Sequence, residues 1–307
     1  ECLDAIPSFR MPNSELMLTS RITNITGEQF DFSSANIANT SVTAEFDMPG
    51  NAWFYAENPH LGENSTPMFI IQEIALQPCG FLSQWIGSHL ACSVDGQVCP
   101  MLFRNLDATG KLVDNVCLKN KTVVIEARMV KHNKMKNMVV QKYEFTCSVD
   151  GNAFYTGKTS FGWFTPESMA AYKGIDNGKL DLSYEKDFQF FKQDQVPWYT
   201  KRSNRLQFFN DNDIYINESR KEIRGRKTVD LKSWFFSCHF WKDPVMPGSL
   251  GVESMYELLE IYCMNERKDK SLRFEHNVGE VAWKYRGQLT GKSKYMDSTP
   301  SDPGITG

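Results

Sequence analysis

WFFSCHFWKDPVMPGSLGVESMYELLE, residues Trp234–Glu260, is the stretch on which the reading of this chain turns. Two prolines and a glycine within Asp243–Gly248 make a rigid loop that delivers the chain into a helix at about Gly248. A helix starting there leaves unpaired N–H groups and the positive end of its dipole facing whatever lies beside His239. A glycine at that point lets a ligand approach the backbone closely. A carbonyl set over the Gly248 N–H would be polarised as in an oxyanion hole. His239 stands nine residues before Gly248, near enough for a folded loop to put both around one pocket. Glu253 falls on the second helical turn, with Glu257 one turn later on the same face. Each feature alone also fits a packed histidine and a rigid turn; their joint spacing is what points to chemistry.

Outward from this stretch, the same order of elements occurs earlier in the chain. Trp53-Phe54-Tyr55 corresponds to Trp234-Phe235-Phe236 at an offset of 181, and Glu73 to Glu253 at an offset of 180. The difference of one fits an insertion in the intervening loop. Alternating apolar and polar residues predict strands over Leu16–Ile25 and Ser41–Met48, and an apolar stretch predicts a helix over Pro67–Leu90 that Pro78 should kink or end. Strand patterns follow at Met101–Asn105, Thr122–Lys131 and Asn137–Ser148, then a turn at Asp150-Gly151 into Ala153–Phe164. The second copy predicts strands over Leu206–Asn217 and Glu222–Leu231, with the aromatic triplet at a strand end. A helix over Leu250–Met264 and one last strand, Val278–Gln288, complete it. The result is an α+β architecture of two long helices, each against an antiparallel sheet. The expected division is 1–172, a linker over 173–205, and 206–307, with the second copy short of its final two strands.

Composition is in keeping with this. The chain has 307 residues, 41% apolar and 13% aromatic, enough to bury a core and too apolar for disorder. A net charge of −3 gives no reason to expect nucleic acid or an anionic membrane as partner. No run approaches the roughly 20 apolar residues of a membrane span. Eight cysteines contain no CxxC pair, which argues against zinc and for reduced thiols in a cytoplasmic protein. The start, without Met or a signal pattern, is expected to be cut from a longer protein.

The segments WFFSCHF, DPVMPG and Leu250-Gly251-Val252-Glu253 resemble the signature of the hot-dog-fold β-hydroxyacyl-(acyl carrier protein) dehydratases, especially the dehydratase/isomerase branch. The pairing of two such units resembles the dehydratase region of polyunsaturated fatty acid synthases, which are megasynthases. The resemblance implies a double hot-dog forming an internal pseudo-dimer, with a homodimer as a further option. It implies that the histidine of one unit meets the acid of the other. Carried onto this chain, His239 takes the position of the catalytic histidine and Gly248 that of the helix-start glycine. Val245 supplies the carbonyl that holds the other histidine nitrogen. Glu73 and Glu253 both fall where the family has an acid.

In the first copy the histidine position holds Asn58, His60 is displaced by two, and Pro-Gly has become Pro67-Met68, whereas Glu73 keeps Gln77 four residues on. His239 is therefore expected to work with Glu73 rather than Glu253, with Gly248, Gln77 and Val245 as substrate-binding or supporting positions. Lys242 and Ser249 depart from the family's usual Gly and frequent Cys. The implied reaction is dehydration of 3-hydroxyacyl-acyl carrier protein thioesters, with or without trans-2/cis-3 isomerisation. It needs no metal or organic cofactor, the substrate being a phosphopantetheine thioester. Implied partners are acyl carrier protein and neighbouring megasynthase domains, with no nucleic acid and no membrane. A hot-dog acyl thioesterase and a non-catalytic carrier-protein docking domain remain as alternatives.

Overall fold

The structure, a computed structural model, describes residues 10–91, 93–94, 97–172, 174, 186, 189–190 and 198–298. Helix α1 (Met68–Trp85) is the axis of the first copy, and every residue from Met68 to Gly80 is buried. The helix continues through Pro78 to Trp85, so the end expected there does not occur. The missing N–H there costs about 3 kcal/mol. Each buried Ile, Leu or Phe returns about 1.5–3 kcal/mol, and α1 buries Phe69, Ile70, Ile71, Ile74, Leu76 and Leu82, so burial wins.

Around α1 wraps an antiparallel sheet of β1 (Arg21–Thr26), β2 (Ser41–Asp47), β3 (Leu102–Leu112), β4 (Thr122–Met135), β5 (Met138–Val149) and β6 (Asn152–Phe164). A seventh strand, β9 below, completes the order β1-β2-β4-β5-β6-β3-β9. Alternation sets which face looks at α1: Val42, Ala44 and Phe46 on β2, and Val123, Ile125, Ala127 and Met129 on β4, are buried in turn. Asp150 and Gly151 both take positive φ, the tight hairpin expected between β5 and β6.

The second copy has helix α2 (Gly248–Arg267), which closes on Lys268 in the left-handed conformation with its N–H on the Met264 carbonyl at 2.9 Å. It packs beside α1 and on a smaller antiparallel sheet of β7 (Ile214–Asn217), β8 (Glu222–Thr228) and β10 (Tyr295–Ser298), in the order β10-β8-β7 followed by Gln189–Phe190. Strand β9 (Gly279–Lys284) leaves that sheet and pairs with β3 of the first copy, from Gly279 opposite Leu112 to Lys284 opposite Asp107. The architecture is α+β, two helix-and-sheet units joined as a pseudo-dimer.

Several expectations are corrected. Leu16–Ile25 begins as a 3₁₀ turn (Ser14–Leu16) and becomes a strand only at Arg21, while Leu206–Asn217 is a strand only from Ile214. The aromatic stretch before His239 is a single helical turn, Phe235–Cys238 with Trp234 as its N-cap, rather than a strand end, and Trp53–Ala56 is the corresponding turn of the first copy. The second copy has two strands after its helix, β9 and β10, where one was expected. Much of the expected linker lies outside the described residues; in its last part Arg202 is fully buried. Among the described residues no helix is long and apolar enough to cross a membrane.

The internal repeat is visible in backbone hydrogen bonds. The Asn13 N–H donates to the Cys238 carbonyl at 3.2 Å, and the Ser203 N–H donates to the Glu57 carbonyl at 3.1 Å. The Leu18 N–H donates to Gln77 Oε1 at 3.1 Å, and the Phe208 N–H to Glu257 Oε2 at 2.9 Å. Each copy therefore presents one short strap that bridges its own long helix and the aromatic turn of the other copy. At the centre Trp53 and Trp234 meet edge to face, centroids 5.3 Å apart.

Candidate active site

His239 caps the short turn Phe235–Cys238, its N–H on the Phe235 carbonyl at 2.9 Å. The chain then doubles back in a narrow loop. Phe240 and Asp243 exchange N–H···O bonds of 3.0 and 3.1 Å, and the Val245 N–H returns to the His239 carbonyl at 2.9 Å. The tip residue Lys242 has φ +57°, which explains why glycine is the natural choice there. From the first copy, Arg104 on β3 grips Asp243 through two bonds of 2.6 and 2.9 Å, fixing the loop against the sheet.

This closure turns the Val245 carbonyl onto His239 Nδ1 at 2.9 Å. A carbonyl only accepts, so Nδ1 carries the hydrogen and Nε2 is left with a lone pair. Burial, with a smaller contribution from the Arg104 charge, lowers the imidazole pKa to about 4 against the opposing Val245 hydrogen bond. The ring is thus neutral at pH 7 with Nε2 ready to accept a proton.

Glu73 projects from α1 and is 7% exposed. Its Oε1 accepts from the Ser249 hydroxyl at 2.6 Å, and its Oε2 from Gln77 Nε2 at 3.3 Å. Gln77 is held in turn, donating to the Leu16 carbonyl at 2.8 Å and accepting from the Leu18 N–H. Burial raises the Glu73 pKa, against the pull of the two hydrogen bonds, and so favours the protonated acid. Gly248, the first residue of α2, adjoins Ser249, and its N–H is among those no helical carbonyl reaches. An acid of the first copy is therefore held at the helix start of the second, beside the loop that carries His239.

With the geometry established, comparison gives it a family. Residues 208–298, the stretch containing His239, Val245, Gly248 and Glu253, match the family described as FabA-like domain. Across 94% of the chain, 33% of aligned residues are identical to one of the subunits of the polyunsaturated fatty acid synthase of Thraustochytrium sp.. The chain spans about a fifth of that relative, 21% of its length. Among solved structures, the dehydratase heterocomplex ApeI:P of Xenorhabdus doucetiae aligns over 52% of this chain and 88% of its own, with 13% identity and a TM-score of 0.31. The 12:0-ACP thioesterase of Umbellularia californica aligns over 86% and 88%, with 10% identity and a TM-score of 0.45.

Within residues 208–298, Glu253 takes a different course from Glu73 of the first copy. It accepts from Arg202 Nη1 at 2.9 Å, and Glu260 takes the same guanidinium through bonds of 2.9 and 2.8 Å. Burial raises the Glu253 carboxyl, and Arg202 pulls it back. Asn58, at the position equivalent to His239, donates to Glu260 at 3.2 Å, and the displaced His60 stacks on Tyr199 and bonds to the Thr200 carbonyl. Glu257, the counterpart of Gln77, is buried, which pushes its carboxyl up to about 8. The structure thus gathers Glu73, Gln77, Gly248, Val245 and His239 about one loop and helix start, and puts Glu253 at the pseudo-symmetric position with an arginine across it.

Sequence reading missed Arg202, Ser249 as a partner of Glu73, and the Arg104–Asp243 clamp. Only Arg202 left a trace, as a charge in a segment that also holds Trp198 and Tyr199.

Proposed function

We propose that the chain removes water from 3-hydroxyacyl thioesters borne on the phosphopantetheine of an acyl carrier protein, as a cytoplasmic dehydratase within a polyunsaturated fatty acid synthase. Neighbouring synthase domains are its partners. His239 Nε2 takes the proton from C2. The C3–O bond breaks as Glu73 gives its proton to the departing oxygen, and the electron pair from C2 forms the C2=C3 double bond. The Gly248 N–H faces the thioester oxygen, where negative charge develops. The same base, taking a proton from C4 and returning one to C2, would carry out trans-2/cis-3 isomerisation.

The observation that supports this reading most strongly is the pairing of opposite protonation preferences at one place. A neutral histidine has its tautomer fixed by Val245, and a buried carboxyl tied to Ser249 favours its proton.

The test is turnover of a 3-hydroxyacyl-carrier-protein thioester by the purified chain, with the enoyl product followed by mass spectrometry. Enoyl formation that His239→Ala reduces at least about 10²-fold is the expected result. Release of free carrier thiol without enoyl product would assign a thioesterase instead. Carrier binding with neither product would assign a docking role.

A further inference from the structure

Tyr285 follows β9, and its backbone N–H donates to the Leu106 carbonyl at 2.9 Å, which seats it on the first copy's sheet. Its ring lies across the start of α2. A Cβ built on Gly248 would stand 2.3 Å from Tyr285 Cζ and 2.5 and 2.7 Å from the two adjoining ring carbons. A side chain at 248 would therefore displace the tyrosine, and the hydroxyl-bearing end of the ring is what overlies the glycine.

The Tyr285 hydroxyl is shielded from solvent, and its own hydrogen has no acceptor. Trp283, two residues earlier and so on the same side of the strand, has a buried indole N–H whose nearest polar neighbour is the Tyr285 oxygen, to which it can only donate. A buried hydroxyl whose hydrogen has no acceptor is unusual, because it has given up its hydrogen bond to water. Burial and the nearby Glu73 charge push the phenol above its ordinary range, with the hydrogen bond from Trp283 pulling the other way, so it keeps its proton at any working pH. Glu73 already accepts from Ser249 and Gln77. What this corner of the site lacks is an acceptor oxygen.

We infer that the Tyr285 hydroxyl is a second hydrogen-bond donor to the substrate's thioester oxygen, acting beside the Gly248 N–H. The inference rests on the thioester reading above. A carbonyl oxygen has two lone pairs, and these two donors, one from a helix start and one from the strand lying over it, supply both. Tyr285 transfers no proton: the C2 proton goes to His239, the Glu73 proton leaves in water, and the phenol steadies the oxygen while charge develops on it.

Tyr285→Phe removes the hydroxyl and keeps the ring on Gly248. The expected result is a kcat for 3-hydroxyacyl-pantetheine dehydration about 10²-fold lower, with unchanged melting temperature. Wild-type kcat in this variant would overturn the inference. A second measurement does not depend on turnover: equilibrium binding of an S-acyl-pantetheine thioester against the S-alkyl thioether that lacks only the carbonyl. Wild type is expected to favour the thioester about tenfold, and Tyr285→Phe to lose most of that preference. A variant that retains it, or a wild type without it, overturns the inference. A wild type that prefers the thioester but forms no enoyl product overturns dehydration and leaves the Tyr285 assignment standing.

Discussion

Ser249 donates its hydroxyl to Glu73 across 2.6 Å, although 176 residues separate them in the chain. Through this bond an acid on the helix of one copy is presented at the helix start of the other. The bond also lowers the Glu73 pKa against the burial that raises it.

If dehydration uses protonated Glu73, removing its proton at high pH sets the alkaline limb of the kcat/KM profile. Ser249→Ala takes away a hydrogen bond to the charged form. The Glu73 pKa rises, and the alkaline limb should move to higher pH. A limb that stays in place in this variant would separate it from Glu73.

The acid limb belongs to His239. The imidazole pKa is lowered to about 4, so the base is lost only as pH falls through that value. Activity at pH 5.5 is expected to stay near its plateau, whereas an ordinary histidine of pKa about 6.5 would already be mostly protonated. A kcat/KM profile from pH 3.5 to 10 decides the matter, and an acid limb near 6.5 contradicts the assignment.

The two glutamates should separate cleanly. Glu73→Gln keeps the volume and most hydrogen bonds but cannot release a proton, so kcat should fall about 10²–10⁴-fold. Glu253→Gln touches only the Arg202 cluster and should change kcat less than about tenfold while lowering stability. Equal losses of kcat, or the reverse order, would show that the pseudo-symmetric position also works.

Arg202 lies fully buried between Glu253 and Glu260, close to Glu257. Arg202→Ala leaves three buried carboxyls without their cation and should cost about 3–5 kcal/mol. The sign with pH follows from linkage. Glu257 has a folded pKa of about 8, above its unfolded value near 4.5, so the folded state holds the extra proton between them. Its contribution is full below about 4.5 and lost as pH rises through 8. The variant's deficit in melting temperature should therefore be larger at pH 9 than at pH 5.

Lys242 occupies a left-handed position at the loop tip with its side chain exposed. Lys242→Gly removes the Cβ penalty and should raise stability by about 0.5–1 kcal/mol, read by denaturant unfolding. Since Arg104 and Asp243 hold the loop independently, kcat is expected to be unchanged.

Much of the site was legible along the chain. His239, the loop Asp243–Gly248 and the acid of α2 are close in sequence, and Pro244 and Pro247 restrict the backbone there almost as strongly alone as in the fold. The helix at 248 and the β5–β6 hairpin followed from local rules of the same kind. Leu206–Asn217 misled, because its apolar residues pack a strap and a 3₁₀ turn whose backbone bonds go to Glu257 and Glu57 rather than to a neighbouring strand.

The sequence by itself determined that two copies of one unit exist, that only the second keeps a histidine in the motif, and that α2 begins at Gly248. Those are matters of residue identity and local backbone freedom. Only the tertiary structure decided which glutamate lies at that helix start, that Arg202 neutralises the other, and that Tyr285 rests on Gly248. The groups in contact are 176, 51 and 37 positions apart in the chain, respectively. Such contacts form because β9 crosses to the first copy's sheet and the two helices pack together, and burial then makes a paired arrangement of the charged groups in between the favourable one.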